Sequence, residues 1–220
     1  ALALSEFDGN ATSDALQIDG ITYTFPVGDK TTVMVGDNID GSELFSTACV
    51  YGGPSNTLDD CGNVNAAITN GGAMMGAAYD FGGGFTAAAG YAGSNTGIMT
   101  EESMDAFGIN GAYTSDNYGV SLTYGVLETS TSEEDTFTAF NAYYTPDGAL
   151  PSISVGYEIG DIGGAAASAD EKISFFVGLT WEEVGPGSAG IAAGHSNTIE
   201  GNDEEYMYEA YYSYPINDGM

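Results

Sequence analysis

Alternation with a period of two constrains this chain more than any other feature. In "FGINGAYTSDNYGVSLTYGV" one set of positions reads Phe107, Ile109, Gly111, Tyr113, Tyr118, Val120, Leu122, Tyr124 and Val126. The set between them reads Gly108, Asn110, Ala112, Gly119, Ser121, Thr123 and Gly125. Successive side chains of an extended strand point to opposite faces, so one face is aromatic or branched and the other small and polar. The split recurs in "PSISVGYEI", where Ile153, Val155, Tyr157 and Ile159 oppose Ser152, Ser154, Gly156 and Glu158. It recurs again in "KISFFVGLTW" from Ile173 to Trp181. Helical surfaces need charged helix formers, yet Lys30 and Lys172 are the only basic residues and there is no Arg. The 33 Gly and 15 Tyr fit short strands and Gly-rich connections instead. The chain is therefore expected to be all-β.

The connections alternate in length. Short turns stand at Pro26–Lys30, Gly82–Gly84, Thr114–Asn117, Thr145–Ala149, Glu183–Gly187 and Pro215–Gly219, several carrying Pro-Asp-Gly or Asn-Asp-Gly turn chemistry. Longer polar segments lie near 37–72, 93–102, 128–135, 161–170 and 195–203. They divide the chain into about eleven strands of roughly 8 to 12 residues, the plan of an antiparallel transmembrane β-barrel with short turns on one side. A soluble sandwich also alternates, but its inner face favours Val, Ile and Leu. Here Tyr and Phe gather towards strand ends, as in interfacial girdles, and the opposite face suits a water-filled lumen. Tyr113, Tyr118, Trp181, Tyr206, Tyr212 and Tyr214 are the girdle candidates. Residues 1–220 read as one barrel segment carrying a long loop at 37–72. An odd strand number leaves an unpaired edge, so the segment is expected to belong to a longer barrel.

A formal charge of -30 repels phosphate backbones and excludes nucleic acid as a partner. No window approaches the roughly 20 apolar residues of a spanning helix. The start "ALALSEFDGN" has neither the basic end nor the apolar core of a signal peptide, so either a signal has been removed or the protein is cytosolic. Cys49 and Cys61 enclose a turn-rich stretch; a disulfide there would contribute about 3 kcal/mol and implies an oxidising compartment. Such a bond would pin the middle of the long loop, which is expected to fold into the lumen and narrow it.

Candidate chemistry is sparse, and no cofactor is expected. His195 is the sole histidine. It has no nucleophile elbow to serve and reads as a surface-loop residue. "DFGGGF" lacks the Lys-Ser/Thr of a phosphate cradle and reads as a hairpin turn. Met74 and Met75 read as packing. Asn10-Ala11-Thr12 fits a glycosylation sequon of little weight here. Carboxylate clusters at 100–103, 132–135, 181–183 and 201–205 fall beside connections and read first as solvated loop charge, with recruitment of hydrated cations or ligation of Ca²⁺ as the sharper alternative. Among inward strand positions Glu158, Glu182 and Glu209 are the acids placed to line a bore.

Two stretches resemble one family. "LQIDGITYTFPVGDKTTVMVG" (16–36) and "YEAYYSYPINDGM" (208–220) are similar to segments of the cyanobacterial outer-membrane porins, the OprB-like, S-layer-homology-bearing group called iron-uptake porins. Tyr23, Phe25, Pro26, Gly28, Asp29, Ala210, Tyr212, Pro215 and Asp218 carry the match. The family's N-terminal domain, first strands and closing strands have no counterpart here, nor does the arginine ladder common in its lumens. The resemblance implies an outer-membrane location and passive diffusion of small solutes and inorganic ions, iron included, with no enzymatic reaction. It also implies attachment to peptidoglycan through the absent domain, and general porin analogy adds a homotrimer in lipid. Two alternatives stay open: a secreted acidic adhesive protein that binds Ca²⁺, and a soluble carbohydrate-binding sandwich.

Overall fold

Every strand of the chain pairs with its neighbours in sequence. In the computed structural model, which describes residues 2–8, 17–52, 61–68, 72–93, 98–100, 104–130, 133–166 and 169–215, twelve antiparallel strands form one meandering sheet. They are β1 (Leu2–Asp8), β2 (Gln17–Val27), β3 (Thr31–Asp37), β4 (Ala73–Gly82), β5 (Phe85–Gly93) and β6 (Asp105–Thr114). The second half comprises β7 (Tyr118–Ser130), β8 (Glu133–Tyr144), β9 (Ser152–Asp161), β10 (Glu171–Val184), β11 (Gly187–Ile199) and β12 (Met207–Ser213). The eleven strands expected from alternation correspond to β2–β12, and Leu2–Asp8 adds one more at the edge. Among the described residues β1 and β12 are the two edges of the sheet, and no pairing joins them. One continuous sheet sets the two-sheet sandwich aside.

Register follows the alternation. Ile109 lies opposite Tyr124, Leu122 opposite Phe140, Phe140 opposite Tyr157 and Tyr157 opposite Phe175, a continuous apolar band on one face. Asn110 lies opposite Thr123, Ser121 opposite Asn141 and Glu158 opposite Ser174 on the other. A slip of one residue would move each set to the wrong face, so the pattern fixes the register. Gly82, Gly83 and Gly84 all take positive φ, which lets the β4–β5 hairpin close tightly.

The segment near 128–135 departs from expectation. β7 runs to Ser130 and β8 starts at Glu133, so the described residues of the supposed long loop, 128–130 and 133–135, are strand. Glu128 and Glu134 face each other across that extension. His195 is the second departure: it lies within β11, buried, with its ring 5.6 Å from Tyr206 and its Nδ1 3.1 Å from the Thr198 hydroxyl. Its flanking "AAGHSN" looks like a loop because Gly and Asn are common there, but pairing with β10 holds it in the sheet. The terminal Asn217-Asp218-Gly219 turn, the Asn10 sequon and parts of the acidic clusters at 101–103 and 132 lie outside the described residues.

Candidate functional site

Beside a few large side chains such as Phe137 and Phe176, many of the buried strand residues are small and polar. Asn110, Ser121, Thr123, Asn141, Ser154, Glu158, Ser174 and Thr180 all fall in the buried class. Six of them, Asn110, Ser121, Thr123, Asn141, Ser154 and Glu158, bond described residues of the connection between β3 and β4, which lie across the inner face.

The outgoing arm crosses the strands one after another. The Ser46 N–H donates to Asn110 Oδ1 on β6 at 2.9 Å, the Ala48 N–H to Ser121 Oγ on β7 at 2.9 Å and the Val50 N–H to Ser154 Oγ on β9 at 3.0 Å. Alternate amides of an extended segment point the same way, so residues 46, 48 and 50 hydrogen-bond the wall with the period of a strand. Asn110 also returns a bond from Nδ2 to the Ser46 carbonyl at 3.2 Å. The arm ends at Tyr51, which crosses to β12 and donates from its hydroxyl to Glu209 Oε1 at 2.7 Å.

The returning arm is held by a carboxylate. Glu158, 1% exposed, accepts the Asn65 N–H at 2.8 Å, the Asn65 Nδ2 at 2.7 Å and the Ala66 N–H at 2.8 Å. A buried charge is tolerable when several donors surround it, and here all come from the loop. Asn141 Nδ2 adds a 2.6 Å bond to the Cys61 carbonyl. The two arms are joined by a Cys49–Cys61 disulfide with Cα atoms 6.5 Å apart.

Glycine permits the close approach. A Cβ on Gly156 would stand 1.6 Å from the Cys61 carbonyl oxygen, and one on Gly90 would stand 1.8 Å from that of Gly41. Neither position has room for any side chain. The small inner face, read from sequence as the wall of an open lumen, is over much of β5–β10 the seat of a loop.

The acids named from sequence divide accordingly. Glu158 faces inward but lies beneath the loop and anchors it, which corrects its assignment to the bore: its oxygens are taken by loop amides rather than open to solvent. Glu209 faces inward and is half-buried beside Tyr51. Glu182 is exposed at the short-turn end of β10, where it borders a cavity of about 410 Å³ with Thr145, Leu150 and Thr180. Burial, then the bond to Glu209 and the charge of that carboxylate, push the Tyr51 phenol well above its ordinary range. Lys172, the one basic residue at an inward strand position among the described residues, sits 5.7 Å from the Phe137 ring centroid. Among the described residues no group of three or more His, Cys, Asp or Glu could hold a metal ion, and no helix is long and apolar enough to cross a membrane.

The opposite face is apolar and uncovered. Ile109 is 60% exposed and Leu122 55%, although both are central in their strands. Five of the six girdle candidates, Tyr113, Tyr118, Trp181, Tyr212 and Tyr214, lie along the short-turn edge; Tyr206 lies at the other, bonded to Glu204. That bond, with the carboxylate's charge, raises the Tyr206 phenol above its usual value. Tyr212 donates to the Val184 carbonyl at 2.9 Å, and the Tyr113 ring stands 5.5 Å from Tyr118 and 4.6 Å from Phe85. Sequence reasoning left out Tyr79, Phe81, Phe85 and Tyr144 on this edge, all exposed. Their positions beside short turns were the available signal. It also left out Tyr51 and Asn65, for which no local pattern exists.

The meandering antiparallel sheet has counterparts among solved structures. A mutant of the porin of Rhodopseudomonas blastica superposes with a TM-score of 0.64 at 16% identity, over 99% of this chain and 75% of that one. The fold is that of a bacterial porin. The outer-membrane channel DcaP of Acinetobacter baumannii gives a TM-score of 0.53 at 13% identity, over 91% of this chain and 63% of that one. No protein-family model and no curated protein matches the chain.

Proposed function

We propose that this chain forms most of an outer-membrane channel through which small hydrophilic solutes and inorganic ions diffuse passively. The observation that carries the reading is the inversion of faces: large apolar side chains stand exposed around the outside while a loop tied down by polar residues occupies the inside. Hydrocarbon is the solvent that makes such an outer face favourable. The neighbours in fold, a porin and an outer-membrane channel, support the same location. No reaction is proposed. The "FPVGD" and "YSYPINDG" stretches support a place near the cyanobacterial iron-uptake porins, with iron among the cargo, trimeric assembly and peptidoglycan attachment through a further domain.

Selectivity follows from where the charge lies. Of the three inward acids considered, Glu158 is buried, Glu209 is hydrogen-bonded and Glu182 stands at the short-turn end. Most of the formal charge of -30 therefore belongs to connections and rims. At about 3 Å the Debye length in molar salt screens such charge, so a modest cation preference should grow as ionic strength falls. Reversal potentials across a salt gradient in planar bilayers test this. Anion preference at low salt would overturn it, and a protein that remains folded and monomeric in plain buffer would overturn the channel itself.

A further inference from the structure

The inserted loop meets the last described strand through one aromatic side chain. Three inward positions of β11, Gly190, Ala192 and Gly194, carry little or no side chain. They would leave a trough between β10 and β12. Tyr51 spans it. Its ring lies over Gly178, where a Cβ would come within 2.7 Å of it, and packs edge-on to Phe176 at 5.3 Å and to Tyr211 at 5.5 Å. Ala192 is buried in the same cluster. The hydroxyl then reaches Glu209 across a sequence separation of 158.

We propose that Tyr51 is a latch: its bond to Glu209 seals the β11 side of the inserted loop and fixes the width of the passage on the other side. This rests on the channel reading above. The geometry supports a latch over mere packing for two reasons. The phenol donates to a carboxyl oxygen at 2.7 Å, a short and directed bond. The backbone leading into the ring is held at two successive residues, by the disulfide at Cys49 and by the Val50 amide bonded to Ser154, so the phenol is presented to the carboxylate from a fixed base.

Tyr51→Phe keeps the ring and removes the hydroxyl; Glu209→Ala removes the acceptor. In protein extracted from outer membranes and reconstituted in planar bilayers, each variant should give a larger and noisier unitary conductance. The double variant should do no more than the stronger single. Independently of current, hydrogen exchange at the Ala48 and Val50 amides should quicken about tenfold to a hundredfold in Tyr51→Phe, the effect of losing one hydrogen bond to a charged acceptor. Wild-type conductance and exchange in both variants, or additive effects in the double, would overturn the latch while leaving the channel standing. A native protein that passes no current would overturn the channel reading and the latch's control of width with it.

Discussion

The two faces of β9 obey opposite rules. Inward, Ser152, Ser154, Gly156, Glu158 and Gly160 are all buried. Outward, Ile153, Tyr157 and Ile159 are all exposed. In a protein surrounded by water the second set would be the core and the first the surface. The inversion teaches that inward burial measures packing against the loop, as at Gly156 under Cys61, or against a neighbouring strand's side chain, as at Gly160 under Phe137, while outward exposure measures contact with the surrounding medium. Each face can be broken separately.

The largest effect should come from removing the charge under the loop. Glu158→Ala leaves the Asn65 and Ala66 donors buried without an acceptor and should cost about 3 to 5 kcal/mol, read by urea unfolding in detergent micelles. Glu158→Gln keeps one acceptor and should cost less. On the other face, Ile109→Lys puts a charge in the middle of the exposed apolar band and should destabilise by about 2 to 4 kcal/mol in bilayers. A change near zero there would mean that water, not lipid, bathes this face.

A subtler break targets fit rather than charge. Gly156→Ala drives a methyl into the Cys61 carbonyl and should cost about 1 to 3 kcal/mol by overpacking, with the loop lifted and the conductance altered. The same substitution at Gly111, which faces open space outside, should be close to neutral in thermal unfolding. The smallest effect is alkaline. Because the Tyr51 phenol is raised above its ordinary value of 10.0, the unfolded chain releases that proton first as pH rises. The stabilisation is full below pH 10 and declines above it. Unfolding midpoints between pH 9 and 11 should fall more steeply in the native protein than in Tyr51→Phe.

Much of this was legible in the sequence because strand alternation is local. Ile109 and Asn110 declare their faces from neighbours one and two positions away, and turn glycines such as Gly82–Gly84 declare the hairpins. The placement of Tyr113, Tyr118, Trp181, Tyr212 and Tyr214 near the short turns follows from the same reading. The likeness to porins at 16% identity is a likeness of this pattern rather than of particular residues.

What the tertiary structure alone decided is which medium each face meets. Glycine and serine at alternate positions suit a water-lined wall and a loop seat equally well, since both demand small side chains. Whether Ser154 meets water or the Val50 amide depends on a segment 104 residues away. Glu158 reads as a bore-lining acid until the Asn65 and Ala66 amides are placed upon it, and Tyr51 has no meaning before β12 arrives beside it. Alternation fixes direction because it is set by the geometry of one strand. Occupancy is fixed by contacts between segments far apart in the chain, and no local pattern encodes them.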